Sequence, residues 1–253
     1  MNNLISVCGN SGSGKSLVSC AIANEITRKY KKSVIIISPN KVAPMLPVFL
    51  PLQTFQRQNS IGDLFLNGVN FQNLKGKIHL HPKNSNLAFM GYIETDNIFR
   101  YNSDISKNEM FSLLSLLSNS SDNSLCDYVI IDCDHNIPSC NISSFAVDNS
   151  FANLIVASPD NKGISYLTSQ EPFIYGSKND NQKSITILNN CYNYSPAAIL
   201  KKENLIDIHL PHCKTIYEEF LTGGKFSFHN EKEFKNGIGR IVSEIMDGDD
   251  NDL

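Results

Sequence analysis

One stretch of eight residues restricts the possible folds of this chain more than any other feature. Residues 9–16 read GNSGSGKS and match the pattern GxxxxGK followed by Ser or Thr at every fixed position. An apolar run, residues 4–8, precedes the stretch, and apolar residues at helical spacing follow it. A buried strand, a glycine-rich loop and a helix are therefore expected in that order. These flanking elements argue against a glycine-rich turn that carries a lysine by accident.

Each residue type in this loop has a chemical reason to be there. Glycines let the main chain fold tightly enough for successive N–H groups to point at one phosphate. Lys15 brings positive charge to the β- and γ-phosphates of a nucleotide, and the Ser16 hydroxyl is a ligand for Mg²⁺. The following helix adds its positive N-terminal end, so we expect ATP and Mg²⁺ to bind here. The predicted nucleotide-contacting residues of the loop are Gly9, Asn10, Ser11, Gly12, Ser13, Gly14, Lys15, Ser16 and Leu17.

Strands and helices are expected to alternate along the chain. The predicted strands are residues 4–8, 33–37, 77–80, 90–93, 128–132, 152–157, 184–189 and 206–210. The predicted helices are residues 16–29, 61–66, 107–117, 215–221 and 231–246. Because strand–helix–strand units are right-handed and parallel, we predict an α/β fold: a single doubly wound, mostly parallel sheet with helices on both faces. Residues 1–246 form this domain, and the acidic tail 247–253 is expected to be disordered.

A second motif supplies an acid for the metal. The run YVIID, residues 128–132, is apolar until its last position. The side chain that ends such a strand lies at the carboxyl edge of the sheet, where ligands bind in open α/β folds. Asp132 is therefore predicted to hold the Mg²⁺ shell together with Ser16. Many strands end in aspartate, so this prediction depends on the phosphate loop.

Composition excludes several other classes of protein. The 253 residues carry a net charge of −3, so no overall basic field attracts nucleic acid or an anionic membrane. No apolar run approaches the roughly 20 residues that span a bilayer, and we expect no direct membrane insertion. The first residues lack a basic segment followed by a long apolar one, so we expect a cytoplasmic protein. The seven scattered cysteines are expected to be reduced.

The chain resembles the MinD/ParA family of dimeric ATPases, including its pilus-assembly branch of CpaE/TadZ-like proteins. The segment CDYVIIDCD, residues 126–134, is similar to the second nucleotide-binding motif of that family. Asn189 stands where the family places an asparagine that reads adenine, and residues 208–226 resemble the stretch before the last family helix. The resemblance implies ATP, Mg²⁺, a homodimer and a protein partner within a larger assembly.

The departures from the family pattern concern hydrolysis. The family loop begins GKGG, and its first lysine reaches the phosphates of the partner; here that position is Asn10. The family has aspartates after the second strand, and one of them orients the attacking water; here the positions are Ser38 and Asn40. An in-trans cation is worth roughly 10³–10⁵ in rate, so we expect slow or absent turnover. Asn40 can hold a water but cannot accept its proton, and Asp134 is the alternative residue for this role.

Three hypotheses follow from the sequence. The first is an ATP-binding protein that dimerises on nucleotide and positions a pilus, secretion or conjugation apparatus. The second is an active ATPase that partitions plasmid or chromosome DNA, which requires salt-sensitive DNA binding. The lysines available for DNA are interspersed with acids, so DNA is possible but disfavoured: Lys201, Lys202, Lys214 and Lys225. The third is a small-molecule kinase with residues 38–75 as a lid, although Arg57 is the single arginine in that segment.

Overall fold

A computed structural model describes residues 3–96, 105–118, 124–176, 182–192, 205–221 and 231–246. Within these residues the strands are β1 (Leu4–Gly9), β2 (Val34–Ser38), β3 (His79–His81), β4 (Asn84–Gly91), β5 (Tyr128–Asp132), β6 (Ala152–Ala157), β7 (Lys183–Cys191) and β8 (Ile208–Pro211). The helices are α1 (Lys15–Glu25), α2 (Leu46–Phe49), α3 (Ile61–Asn67), α4 (Phe71–Leu74), α5 (Lys107–Ser118), α6 (Asn141–Asn149), α7 (Asn161–Gly176), α8 (Lys214–Leu221) and α9 (Lys232–Met246).

The strands form one sheet in the order β3-β4-β2-β5-β1-β6-β7-β8. Every neighbouring pair is parallel except β3 with β4, which is antiparallel. This confirms the predicted doubly wound, mostly parallel sheet. β1 lies between β5 and β6, so the loops that leave these three carboxyl ends meet at one place.

The central strands are buried along their whole length, as expected for apolar strands covered on both faces. Successive side chains point to opposite faces of the sheet. In β1, Ile5 and Val7 join the core on one face, whereas Leu4 and Cys8 join the core on the other. β1 is therefore held from both sides, and the loop that follows it begins from a fixed point.

Helices cover the sheet in two main layers. On one face α1 and α9 pack together over the strands, with Val18, Ile22 and Ile241 completely buried. On the other face α5 and α6 contribute Leu113 and Phe145 to the second core. A smaller cluster joins α7 to β6 and β7.

Several predicted elements differ from those observed. The helix after the phosphate loop ends at Glu25 and continues as a π-helical turn, Ile26–Tyr30, before Lys31 takes a positive φ of 57°. The strand predicted at 90–93 begins earlier, at Asn84. Neither α6 nor α7 was predicted, because polar residues dilute the apolar spacing in both segments.

The segment 38–75 does not have the character of a detachable lid. Its short helices place Leu46, Phe49, Ile61 and Leu64 in the two cores, each almost completely buried. Lifting this segment would expose all of these side chains. The structure therefore gives no support to the kinase hypothesis, which needed a lid here.

No helix in the described part of the chain is long and apolar enough to cross a bilayer. The acidic tail predicted at 247–253 lies outside the described residues, as do three of the four lysines considered for DNA binding, Lys201, Lys202 and Lys225.

Candidate nucleotide-binding site

The loop between β1 and α1 has the conformation that its glycines predict. Gly12 and Gly14 both have φ of 82°, a conformation that residues with a side chain rarely adopt. A Cβ on Gly9 would lie 2.2 Å from the carbonyl oxygen of Val156, and one on Gly14 would lie 2.4 Å from Nδ2 of Asn189. Glycine is therefore required at residue 9 by packing, at residue 12 by conformation, and at residue 14 by both.

Two main-chain hydrogen bonds close this loop onto the helix. Ser13 N–H donates to the carbonyl of Asn10 at 3.1 Å, and Val18 N–H donates to the carbonyl of Gly14 at 3.0 Å. The loop thus curls against the N-terminus of α1, where main-chain N–H groups and the helix dipole favour an anion. This is the geometry that a phosphate group needs.

The end of β5 supplies an acid beside the start of α1. Asp132 is buried, and its Oδ2 accepts a hydrogen bond from Ser16 Oγ at 2.7 Å and a weaker one from Ser38 Oγ at 3.5 Å. The other oxygen, Oδ1, has no hydrogen-bond partner among the described residues. A buried carboxylate oxygen without a partner is costly, and hydroxyl and carboxylate oxygens are the ligands that Mg²⁺ prefers. The oxygens of Ser16 and Asp132 therefore fit a magnesium ion, and their role as its ligands stays a prediction.

The titration of Asp132 reflects the same arrangement. Burial raises the pKa of Asp132 to about 6, although the charge of Lys15 and the hydrogen bonds from Ser16 and Ser38 act to lower it. The nearby charge of Asp134 raises it further. A cation at this position favours the ionised carboxylate, so metal binding and loss of the Asp132 proton are coupled.

A pocket of about 280 Å³ lies beside the loop. Residues 12–17 form one wall, and the other walls come from Met45, Asn189, Asn190, Pro211, Cys213, Ile216 and Phe234. A mostly apolar pocket with a few amides suits a flat heterocyclic base next to a phosphate loop. The ends of β7 and β8, together with α8 and α9, thus form the walls of the pocket opposite the phosphate loop.

The two asparagines at the end of β7 have different roles in this pocket. Asn189 is buried, and its Nδ2 donates to the carbonyl of Ser13 at 2.8 Å, so it braces the phosphate loop. Asn190 has a positive φ of 67° and hydrogen-bonds the ring of His212. Adenine recognition by Asn189 stays a prediction. Asn190 was not predicted, although asparagine is the residue type that tolerates a positive φ at a strand end.

The two residues predicted to handle the attacking water lie near the site but are occupied. Asn40 Oδ1 accepts hydrogen bonds from the N–H groups of Val42 and Ala43, at 3.0 and 2.8 Å. Asp134 Oδ1 accepts from Asn136 N–H at 2.9 Å and lies 3.1 Å from Nδ1 of His135.

Of these two residues, Asp134 lines a second cleft. Asp134 lines this cleft, which has a volume of about 350 Å³, together with Lys41, Val42 and Cys140. Its charge still reaches Asp132, as the pKa of that residue shows. The structure thus brings Asp134 close to the magnesium ligands while its carboxylate is engaged with its own loop.

Asn10, the second residue of the phosphate loop, links this loop to another part of the chain. Its side chain is buried: Nδ2 donates to Ser158 Oγ at 2.9 Å, and Oδ1 accepts from Ser158 N–H at 3.1 Å. The phosphate loop is thereby tied to the loop after β6. At the start of α7, which follows that loop, Lys162 donates from Nζ to the carbonyl of Ser11 at 3.1 Å. Sequence reasoning missed these contacts, although the polar run SPDNKG directly after a buried strand was the available signal.

These elements define a P-loop nucleotide-binding fold with a complete phosphate and magnesium corner. The sequence matches no family model, and it matches no curated protein. Solved structures resemble the whole chain, however. The septum site-determining protein MinD of Pyrococcus horikoshii OT3, complexed with Mg-ADP, matches with a TM-score of 0.73 at 14% identity, over 100% of both chains.

Two further structures extend this comparison. A plasmid partition protein of Borrelia burgdorferi B31 bound to AMPPNP matches with a TM-score of 0.71 at 14% identity, over 98% of this chain and 99% of the other. The MinC:MinD cell division complex of Aquifex aeolicus matches with a TM-score of 0.64 at 15% identity, over 95% and 96%. At such identities the likeness establishes the fold: this chain has the fold of MinD-type and plasmid-partition P-loop ATPases.

Proposed function

We propose that this chain binds ATP with Mg²⁺ in the cup formed by residues 9–16, and that it dimerises on the nucleotide. The observation that carries the proposal is the corner at which Ser16 Oγ lies 2.7 Å from Oδ2 of Asp132, beside a buried Oδ1 with no partner in the described part of the chain. When bound there, Mg²⁺ neutralises phosphate charge. The residues Ser16 and Asp132 hold it, and Lys15 contacts the phosphates.

Hydrolysis is slow or absent in this proposal. The position of the first family lysine is Asn10, whose side chain is buried against Ser158. Asn40, where the family has an acid, uses its oxygen to accept two N–H groups of its own loop. Without a loop lysine that reaches the phosphates of the partner, and without a base for the water, the barrier to phosphoryl transfer stays high. Binding needs neither of these groups.

The proposed biological role is to position a macromolecular assembly in the cytoplasm, such as a pilus, secretion or conjugation apparatus. The resemblance to the MinD/ParA family supports a homodimer that forms on ATP. The structural likeness to a MinD protein solved in complex with MinC supports a protein partner. We favour ATP over GTP because the sequence contains no NKxD motif for guanine.

Light scattering with and without ATP and Mg²⁺ tests the proposal, with phosphate release followed on the same sample. We expect the mass to double on ATP with little phosphate released. The variant Lys15→Ala should stay monomeric and lose nucleotide binding by about 100-fold or more. Lys183→Ala is the matched control, because Lys183 begins β7 at the opposite edge of the sheet. Unchanged binding in Lys15→Ala contradicts the proposal.

The same experiment separates the rival functions. Phosphate release that rises on addition of DNA would favour partitioning, a function suggested by the likeness to the Borrelia protein. Lys214, the one DNA-candidate lysine within the described residues, forms a surface ion pair with Glu218 at 3.6 Å and gives this reading no special support. Transfer of phosphate to an acceptor other than water would favour a kinase.

A further inference from the structure

A lysine outside every nucleotide-binding motif of this chain lies against the phosphate loop. Lys162 is the second residue of α7, and α7 follows β6, the strand hydrogen-bonded to β1. Its Nζ donates to the carbonyl oxygen of Ser11 at 3.1 Å. Two residues 151 positions apart in sequence are thus in direct contact, at the apex of the loop.

The start of α7 is fixed against the phosphate loop by a chain of hydrogen bonds. Asn10 forms two with Ser158, and Ser158 Oγ in turn donates to Asp160 Oδ1 at 2.8 Å. Asp160 caps the helix by accepting Gly163 N–H at 2.8 Å. A Cβ on Gly163 would lie 2.0 Å from the carbonyl oxygen of Ser158, so glycine permits this close packing. The main chain at Lys162 is therefore held in place.

Ser11, which Lys162 contacts, lies on the side of the loop away from the pocket that suits the base. Residues 12–17 line the pocket that suits the base, whereas Ser11 does not. Ser11 is exposed, and it precedes the residues that face the base and the helix. We infer that the Ser11 side of the loop faces the far end of the phosphate chain, where the γ-phosphate of ATP lies.

We propose that Lys162 is a second cation of the phosphate site, which contacts the terminal phosphate of bound ATP. An ammonium group has three N–H donors, and the Ser11 carbonyl accepts one of them. The Lys162 side chain is exposed, so its other two N–H donors are accessible to a ligand. The loop itself carries one lysine, Lys15, and Asn10 stands where a second would be. Lys162 thus supplies in the same chain a positive charge that the loop lacks.

The neighbouring acid does not cancel this charge. Burial acts to raise the pKa of Asp160, but hydrogen bonds from Gly163 and Ser158 lower it overall, and the charge of Lys162 contributes. Asp160 is therefore an anion that is already satisfied by two hydrogen bonds at its Oδ1. A γ-phosphate carries more negative charge than this carboxylate, so it competes well for the ammonium group.

This inference rests on the proposed function, and calorimetric titration of the full chain with Mg-ATP and with Mg-ADP tests it. The variant Lys162→Gln keeps a donor for the Ser11 carbonyl but removes the charge. We expect this variant to bind Mg-ATP about tenfold more weakly and Mg-ADP no more than about twofold more weakly, because ADP lacks the terminal phosphate. Lys162→Arg should keep most of the wild-type affinity for Mg-ATP, since it keeps the charge.

Lys183→Gln is the matched control, because Lys183 Nζ also donates to a main-chain carbonyl, that of Glu244 at 2.6 Å, but at the opposite edge of the sheet. It should bind both nucleotides like the wild type. If Lys162→Gln weakens the binding of ATP and ADP equally, or leaves the binding of both unchanged, Lys162 merely braces the loop and the inference is overturned. If the wild type binds neither nucleotide, the proposed function fails and the inference with it. Wild-type binding with an unchanged Lys162→Gln overturns the inference alone.

Discussion

The loops that follow β1 and β2 leave the same edge of the sheet, yet their polar groups are used differently. In residues 9–16 the main chain curls on two left-handed glycines, and Ser16 points its hydroxyl at Asp132. In residues 39–45 the Asn40 side chain accepts hydrogen bonds from the N–H groups of Val42 and Ala43 in its own loop. The first loop directs polar groups into the candidate site, whereas the second loop uses its asparagine for hydrogen bonds within itself.

In the proposed function, binding and turnover depend on separate residues. A phosphate cup needs main-chain N–H groups, one ammonium group and a metal corner, and all of these are present here. Hydrolysis also needs a group that orients water and a further cation at the terminal phosphate. A chain can therefore keep the first set while it loses part of the second.

Two glycine substitutions should give the largest effect and the sharpest contrast. Gly14→Ala places a Cβ 2.4 Å from Asn189 Nδ2 at a φ of 82°, so we expect loss of Mg-ATP binding by about 100-fold or more. Gly12→Ala has the same φ but no atom within 4 Å, so we expect mainly the strain of a left-handed residue, about 1 kcal/mol. Urea unfolding and nucleotide titration of both variants measure these effects. Equal losses in both variants would contradict the packing argument.

Replacing the metal-binding acid should separate stability from binding. In Asp132→Asn we expect Mg-dependent ATP affinity to fall about 30-fold, because a metal ligand is lost. The same variant should be more stable without ligand at neutral pH by about 2 kcal/mol, because it removes a buried charge whose pKa burial raises to about 6. Ser38→Ala is the control, since its 3.5 Å contact with Asp132 is weak. A destabilised Asp132→Asn protein would mean that the carboxylate supports the fold itself.

The stability of the ligand-free protein should depend on pH in an unusual direction. Burial raises the pKa of Asp132 in the folded state to about 6, against its ordinary value of 3.8, so the folded state binds more protons than the unfolded state between these pH values. The contribution of Asp132 to the free energy of unfolding therefore falls by roughly 2 kcal/mol as pH rises from about 4 to about 6, and it stays low above that range. Unfolding curves for wild type and Asp132→Asn across this range isolate the effect. The difference in unfolding free energy between them should shrink as pH falls from about 6 to about 4 and stay small below that, and a constant difference would contradict this prediction.

Much of the fold follows from patterns that the sequence displays locally. The observed bounds of β5 and β6 equal the predicted ones, and β1 extends one residue further, because continuous apolar runs buried on both faces begin and end sharply. The phosphate loop is also recognisable from a local pattern, because its strand, glycines, lysine and helix are contiguous in the sequence. Asp132 could be predicted since it ends such a strand.

The missed features depend on contacts between distant parts of the chain. Helix α6 reads NISSFAVDN, and its serines and asparagines favour helix poorly, so its formation depends on packing of Phe145 and Ala146 into the core. The bond from Asn10 to Ser158 joins residues 148 positions apart, which no local pattern encodes. The identity of Asn40 was visible in the sequence, but the use of its oxygen within its own loop was not.

That use of Asn40 leads to the smallest expected effect and the most direct test of the contrast between the two loops. Asn40→Ala removes the acceptor of two N–H groups and should destabilise the protein by about 1 kcal/mol. Because Asn40 serves its own loop, Mg-ATP affinity should stay within about twofold of wild type and phosphate release should remain equally low. Asn40→Asp keeps an acceptor oxygen, so it should recover the stability and serves as the matched variant.

Phosphate release by the wild type and the Asn40 variants can contradict this contrast between the two loops. If the wild type releases phosphate at a rate ordinary for MinD/ParA ATPases and Asn40→Ala abolishes that activity while it still binds Mg-ATP, the loop after β2 takes part in turnover despite its internal hydrogen bonds. Those bonds to Val42 and Ala43 would then have to open when nucleotide binds. If phosphate release is low in the wild type but rises in Asn40→Asp, the missing carboxylate is what limits hydrolysis, and the two loops differ by a single functional group.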